Sequence, residues 1–172
     1  VGASSGKRVV QFFENNSGGL PSEVSHVDEK LLVIANQYAF GYLENSYLSR
    51  TVFDQGEGWT GTEIRQNQFL NYTISNVING VQSEGLPKLE VLLVGRGDMA
   101  HVAEILIGPS TGSLRSIGTV TFNGFQTRKV NQDLAWTDIA ADGTLIVQVK
   151  ALGSGGADRL SASYIKVNYP QA

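Results

Sequence analysis

Short runs in which apolar and polar residues alternate constrain the fold of this chain more than any other feature. In Thr144–Ala151, Leu145, Val147 and Val149 alternate with polar residues, and Ala162–Tyr169 repeats the pattern. A period of two places the apolar side chains on one face of a β-strand. The sequence therefore predicts strands at both places.

Further runs of strand-forming residues recur along the chain and are separated by turn-forming residues. We expect strands at Lys7–Glu14, Leu48–Phe53, Phe69–Ile74, Leu89–Val94, His101–Ile107, Ile117–Phe122 and Phe125–Val130. The 20 glycines among 172 residues suit a protein with many tight connections. Leu89–Val94 is apolar on both faces, as a central strand covered on two sides would be.

Two turns are interpreted as hairpins. Residues 95–98 (Gly-Arg-Gly-Asp) are expected to join Leu89–Val94 to His101–Ile107. Asn123-Gly124, a strong hairpin signal, is expected to join the next two strands.

The segment Ser22–Tyr42 is open to two interpretations. Val27, Leu31, Ile34 and Tyr38 have helical spacing, which favours a helix. Residues 31–35 (Leu-Leu-Val-Ile-Ala) also form a short apolar run between polar residues, as a buried strand would. We favour the strand, because the surrounding segments are β.

About nine or ten strands without βαβ alternation predict an all-β protein, a two-layer antiparallel β-sandwich of jelly-roll-like architecture, with residues 1–172 as one domain. Cysteine is absent, which excludes disulfides and thiolate metal sites from this chain. The net charge is −3 without a basic stripe, so we expect no nucleic-acid partner. No apolar run approaches the roughly 20 residues that span a bilayer, and we expect no membrane span.

Catalytic chemistry has little support in the sequence. His26 and His101 are the only histidines, and no Gly-x-Ser-x-Gly motif accompanies them. Carboxylates are scattered through inferred loops, without the paired arrangement that glycoside hydrolysis needs. We therefore predict that the domain is not an enzyme.

Ligand binding has a candidate in Trp59, which lies in the glycine-rich segment 56–61. An exposed aromatic ring can stack on the apolar face of a sugar while nearby polar groups bind its hydroxyls. The predicted ligand-binding residues are Trp59, Glu57, Tyr42, Tyr47 and Arg65, with Gln55 nearby. The alternative is that the Trp59 ring is buried and anchors its loop. Trp136 is expected in the core.

Calcium is a candidate cofactor, because loop carboxylates and carbonyl oxygens are the ligands that calcium prefers. Asp54, Glu57 and Asp158 lie in such loops and are the predicted ligands. The alternative is that these acids cap turns.

Two segments resemble a known setting: Gly56-Glu57-Gly58-Trp59-Thr60-Gly61, and residues 163–170 (Ser-Tyr-Ile-Lys-Val-Asn-Tyr-Pro). They are similar to the β-sandwich regions that precede the peptidase unit in gingipain-type cysteine peptidases and in the sortase of the type IX secretion system of Bacteroidetes. Residues 92–96, and Phe122-Asn123-Gly124, fit the same pattern. The resemblance implies an accessory β domain of a secreted, multidomain protein. It transfers no activity, since the catalytic cysteine has no counterpart.

A looser similarity is to jelly-roll carbohydrate-binding modules, carried by Gly156-Ala157-Asp158 before the last strand. Together these features predict a non-catalytic accessory or binding domain of a secreted or cell-surface protein, with a carbohydrate as the candidate ligand. The alternative is a structural or pro-region-like domain that packs against a peptidase or another neighbouring domain and binds no small ligand. That alternative expects a broad apolar patch and a buried Trp59.

Overall fold

The computed structural model describes residues 23–39, 41–45, 48–50, 58–153 and 158–172. The predicted strand Lys7–Glu14 and residues 51–53 of Leu48–Phe53 lie outside these ranges. The strands, in chain order, are β1 (His26–Val33), β2 (Gln37–Tyr38), β3 (Tyr42–Asn45), β4 (Leu48–Arg50), β5 (Trp59–Thr60), β6 (Ile64–Arg65), β7 (Phe69–Ile74), β8 (Lys88–Gly95), β9 (Ala100–Gly108), β10 (Arg115–Asn123), β11 (Thr127–Asp133), β12 (Leu145–Ala151) and β13 (Arg159–Gln171). Two short 3-10 turns occupy Gln82–Glu84 and Trp136–Asp138.

Two antiparallel sheets form the body of the protein. Sheet I has five strands in the order β1-β13-β8-β11, with β6 also paired to β13. Sheet II has four strands in the order β10-β9-β12-β7. Among the described residues these two sheets hold nine strands, and the chain crosses between them repeatedly. The predicted two-layer antiparallel sandwich of jelly-roll-like architecture is confirmed.

The core lies between the two sheets and follows the period-two pattern. Leu145, Val147 and Val149 of β12 are fully buried, and so are Ile165 and Val167 of β13. The polar residues between them are only partly buried. Strand β7 has the predicted bounds, and β8 lies between β13 and β11 as the central strand that its apolar faces predict.

Both predicted hairpins are wrong. Strand β8 belongs to sheet I and β9 to sheet II, so residues 96–99 carry the chain from one sheet to the other. Likewise β10 pairs with β9, whereas β11 pairs with β8, so Asn123-Gly124 is also a crossing between sheets. The Asn123-Gly124 signal does mark a turn, in which the N–H of Gln126 donates to the carbonyl of Asn123 at 3.3 Å. It could not specify which sheet the following strand joins.

The two crossings lie against each other. The N–H of Gly95 donates to the carbonyl of Gln126 at 3.0 Å, and the N–H of Gly124 donates to Met99 at 2.7 Å. A Cβ atom at Gly95 would lie 2.7 Å from Nε2 of His101 and would also overlap the Gly124 carbonyl. Gly124 itself has φ +60°, which glycine adopts without strain. Glycine at both positions therefore permits the close approach.

In the described part of the ambiguous segment Ser22–Tyr42, residues 23–39 and 41–42, the chain forms strands and no helix. Residues 26–33 make β1, which pairs with β13 along its whole length. The run 31–35 is not the buried strand that was expected, because β1 is the edge strand of sheet I and Leu31 and Val33 are exposed. The apolar run lies at the end of β1, where Leu32 and the following Ile34 are partly buried against the core, whereas Leu31 and Val33 on the other face are exposed.

Candidate functional site

Trp59 lies on the short strand β5, which pairs with β2 in a small sheet of its own. The residue is 52% exposed, whereas the next residue, Thr60, is completely buried. Successive side chains of a strand point to opposite sides, which explains this contrast. Tyr38 meets the Trp59 ring nearly edge-on, with ring centroids 5.6 Å apart and an interplanar angle of 75°. About half of the Trp59 side chain is therefore exposed, and Tyr38 contacts its ring.

The backbone around Trp59 is firmly attached to sheet I. The Thr60 and Ser161 hydroxyls are 2.9 Å apart, and both residues are buried. The N–H of Gly61 donates to the carbonyl of Ala162 at 2.9 Å. A Cβ atom at Gly61 would come within 2.8 Å of the Ile34 side chain. Glycine at position 61 thus lets the segment lie directly on β13, and Trp59 is displayed from a fixed backbone.

Arg96 connects β2 to the segment that follows β5. Its Nη1 donates to Oε1 of Gln37 at 2.8 Å and to the carbonyl of Gly61 at 3.4 Å, while Nη2 donates to the carbonyl of Tyr38 at 3.4 Å. Burial lowers the pKa of the Arg96 guanidinium from its usual value. The guanidinium is thus a fixed, half-buried group beneath the Tyr38 backbone.

Glu63 adds a carboxylate beside two arginines. Its backbone N–H donates to Gln37 at 3.1 Å. Its Oε1 accepts a hydrogen bond from Nε of Arg65 at 2.9 Å, and its Oε2 lies 4.0 Å from Nη1 of Arg159. The side chains of Arg65 and Arg159 are well exposed. We call the set formed by Gln37, Tyr38, Trp59, Glu63, Arg65, Arg96 and Arg159 the Trp59 surface.

The predicted ligand-binding residues are only partly placed by the structure. Trp59 and Arg65 both belong to the Trp59 surface. Tyr42 is the first residue of β3, while Tyr47 and Glu57 lie outside the described residues. Sequence reasoning missed Gln37, Glu63 and Arg96. Arg96 was assigned to a hairpin tip, and recognising a crossing between sheets would have been needed to place it here.

Of the three predicted calcium ligands, only Asp158 lies within the described residues. Asp54 and Glu57 lie outside the described residues. Asp158 is almost fully buried, and its Oδ1 lies 2.6 Å from Nδ1 of His101. Its Oδ2 accepts the N–H of Gly153 at 3.0 Å and that of Val102 at 3.4 Å. Because Oδ1 is engaged by the His101 ring and Oδ2 already accepts two backbone N–H groups, this arrangement does not fit a cation at Asp158.

Within the described part of the chain, no three His, Asp or Glu side chains are grouped so that they could hold a metal ion. Asp54 and Glu57 stay as predicted calcium ligands.

Trp136 is partly buried beside the core and does not lie inside it, where the sequence led us to expect it. It packs against the core, meets Tyr169 edge-on at 6.3 Å, and donates its Nε1–H to the carbonyl of Gly85 at 3.0 Å. Of the two tryptophans, Trp59 alone is strongly exposed.

Among the residues that the structure describes, there is no helix with the length and apolar character that crossing a membrane requires.

The fold is shared with several solved structures. Dimeric latent PorU from Porphyromonas gingivalis aligns with a TM-score of 0.54 at 12% identity, covering 90% of this chain and 14% of that protein. A carbohydrate-binding module, CBM36, in complex with calcium and xylotriose aligns with a TM-score of 0.44 at 12% identity, covering 65% and 83% of the two chains. CBM35 from Cellvibrio japonicus Abf62 gives a TM-score of 0.43 at 19% identity, covering 81% and 92%.

These structural neighbours include both kinds of protein that the sequence resembles. At identities this low, the likeness concerns the fold. No protein-family model matches the chain, and neither does any curated protein sequence.

Proposed function

We propose that this chain is a non-catalytic accessory domain that binds a carbohydrate through the Trp59 surface. The observation that carries the proposal is the half-exposed indole of Trp59, presented from a backbone fixed to sheet I. Exposing a tryptophan ring costs hydrophobic free energy, roughly 25 cal/mol for each Å² of apolar area left in water. A ring held in this position is suited to stacking on a ligand.

The polar members of the Trp59 surface fit the hydroxyl groups of a saccharide. Gln37 and Glu63 supply oxygen acceptors, and Arg65 and Arg159 supply exposed N–H donors. The two exposed arginines against one carboxylate also favour a ligand that carries acidic groups. A uronic-acid-containing oligosaccharide is therefore included with neutral ones in the experiment below.

The setting of the domain is part of the proposal. A secreted or cell-surface multidomain parent rests on the sequence resemblance to gingipain-type proteins, and the fold shared with PorU is compatible with it. Calcium at Asp54 and Glu57 is an additional proposal, which the preference of calcium for carboxylate oxygens supports.

The alternative function, a structural domain that only packs against a neighbour, expects a buried Trp59. The 52% exposure of Trp59 favours the binding module instead. An apolar patch does exist elsewhere, on β1, and it is argued separately below.

Fluorescence quenching of the native chain and of Trp59→Phe tests the proposal. The difference between the two proteins reports Trp59, because Trp136 is common to both. We expect a neutral or uronic-acid-containing oligosaccharide to protect Trp59 from acrylamide, with saturation. The Trp59→Phe variant should bind the same sugar more weakly, and Phe69→Leu, which alters another exposed aromatic residue, should bind it normally. If no sugar in a broad panel changes Trp59 quenching, the carbohydrate proposal is wrong.

A further inference from the structure

The outer edge of β1 combines exposed apolar side chains with backbone groups that no described strand pairs. Val27, Leu31 and Val33 are 75%, 53% and 65% exposed. Strand β1 pairs with β13 on one side, and no described strand pairs with its other side. Long edge strands with apolar side chains attract further strands, and proteins normally protect them. We therefore expect another strand to pair with this edge.

The direction of the β1 backbone groups follows from one hydrogen bond. The N–H of Ile34 donates to the carbonyl of Ser163 on β13 at 2.8 Å. In an antiparallel pair, the residues of one strand point their N–H and C=O groups alternately toward and away from the partner. The even-numbered residues of β1 therefore face β13. The odd-numbered residues 27, 29, 31 and 33 direct both backbone groups to the open edge.

The same odd-numbered residues carry the apolar stripe. Glu29, Leu31 and Val33 line a shallow depression with Tyr164 and Lys166 on the outer face of sheet I. The even-numbered residues Asp28 and Lys30 lie on the opposite face of β1, where their charged groups are 2.6 Å apart. An incoming strand would therefore need apolar residues on one face and complementary charges on the other.

We propose that the occupant is β1 of a second copy of this chain, paired antiparallel with Glu29 on the two-fold axis. In this register Val27 lies opposite Leu31 of the other copy, twice. Asp28 lies opposite Lys30, also twice. Opposite charges and apolar pairs directly across a strand pair each stabilise a sheet. The pairing joins the two copies of sheet I into one continuous sheet, with the outer faces on the same side.

Neighbouring registers are less favourable. A shift by one residue pair toward the C-terminus places Lys30 opposite Lys30 and Asp28 opposite Leu32. A shift the other way places Asp28 opposite Asp28. A further shift toward the C-terminus sets Leu31 opposite itself and Lys30 opposite Leu32, which leaves the charges without partners. Like charges directly opposite each other destabilise a sheet.

In the proposed register Glu29 lies opposite Glu29 of the other copy. The repulsion between the two carboxylates is offset by Lys166 of each copy. Nζ of Lys166 lies 3.7 Å from Oε2 of Glu29 in each chain. The arrangement is isologous, so the interface closes after two copies and does not propagate into fibres.

Light scattering coupled to size-exclusion chromatography, over a wide concentration range, tests the proposal. We expect a concentration-dependent dimer. Leu31→Lys places a charge opposite Val27 twice per dimer and should raise the dissociation constant about tenfold or more. Leu86→Lys is the matched control, since Leu86 is similarly exposed at 52% but lies outside β1, and it should leave the dimer unchanged.

Single cysteines test the register, because the chain has none of its own. Glu29→Cys removes the repulsion on the axis and brings two cysteines opposite each other, with Cα atoms about 5.5 Å apart, within the range of a disulfide. Val33→Cys should not cross-link, because the two positions would be about 26 Å apart along the strands, eight residues at about 3.3 Å each. Cross-linking of the Glu29 variant but not of the Val33 variant supports the proposal.

Three results would overturn it. The first is a monomer at every concentration. The second is a dimer that Leu31→Lys leaves intact. The third is a chain that dimerises only after residues 1–22 are deleted, which would make that segment the occupant of the edge. The Trp59 surface takes no part in this interface, so the outcome is independent of the carbohydrate proposal.

Discussion

Nδ1 of His101 lies 2.6 Å from Oδ1 of Asp158, and both side chains are almost completely buried. The other ring nitrogen, Nε2, lies 2.8 Å from the carbonyl of Gly124 and 3.2 Å from that of Gly97. A carbonyl oxygen only accepts hydrogen bonds, so Nε2 must carry a proton. One imidazole thus joins both crossings between the sheets to the segment that leads into β13.

His101→Gln should destabilise the protein strongly, by about 3 kcal/mol, because it leaves Asp158 buried beside an incomplete set of donors. Urea unfolding measures the change in the free energy of unfolding. His26→Gln, which alters the exposed histidine of β1, is the control and should change it little. Equal effects of the two substitutions would contradict the structural role given to His101.

Asp158→Asn should lower the melting temperature by the same amount with and without calcium. The reason is that Oδ1 of Asp158 already lies against Nδ1 of His101 and Oδ2 already accepts the N–H groups of Gly153 and Val102. Differential scanning calorimetry in calcium and in chelator provides the comparison. A calcium-dependent stabilisation that is lost in Asp158→Asn would show instead that Asp158 binds the ion.

Arg96→Lys should weaken the contacts that hold the Gln37, Tyr38 and Gly61 segments together within the Trp59 surface. A lysine ammonium cannot reproduce the forked geometry with which Arg96 reaches Gln37, Gly61 and Tyr38. We expect a loss of about 1–2 kcal/mol in the free energy of unfolding and stronger acrylamide quenching of Trp59. Arg128→Lys, at an exposed arginine of β11, is the matched control. Unchanged quenching in Arg96→Lys would mean that Arg96 does not position this surface.

Tyr72→Phe should stabilise the protein by about 1 kcal/mol, since it removes a buried hydroxyl that has no hydrogen-bond partner among the described residues. Burial raises the pKa of Tyr72 to about 12. The unfolded chain, with a tyrosine pKa near 10, therefore loses its proton first, and stability falls as the pH rises from about 10 to about 12. Thermal unfolding over this range should show a shallower decline for Tyr72→Phe. An identical decline in both proteins would contradict the prediction.

In Glu90→Gln the melting temperature should fall less steeply as the pH is lowered than it does in the native protein. A hydrogen bond from the Tyr164 hydroxyl at 2.7 Å, aided by Lys129 at 3.4 Å, lowers the pKa of Glu90 from its usual value. A carboxyl with a lowered pKa contributes stability above its unfolded pKa, near 4.3, and loses it as the pH falls through the folded pKa. Melting temperatures from neutral pH down to about pH 3 measure the effect. Glu84→Gln, at an exposed glutamate, should retain the native acid profile.

The sequence by itself determined where several of the longer strands lie and which of their side chains are buried. The alternation in Thr144–Ala151 and Ala162–Tyr169 predicted β12 and β13 with the correct residues inside, and Phe69–Ile74 was predicted to the residue. These features are local, because the side chains of a strand alternate wherever the strand is placed. The exposure of Trp59 could not be predicted this way, since the two-residue strand β5 is too short to show a periodicity in the sequence.

Tertiary structure alone decided which strands are neighbours. The Asn123-Gly124 signal indicates a chain reversal, but the turn residues do not specify whether the next strand pairs in the same sheet or joins the other one. The choice depends on burying the apolar faces of β8 in sheet I and of β9 in sheet II, and on the His101–Asp158 pair that contacts both crossings. Residues far apart in the chain make those contacts, so no local pattern could reveal them.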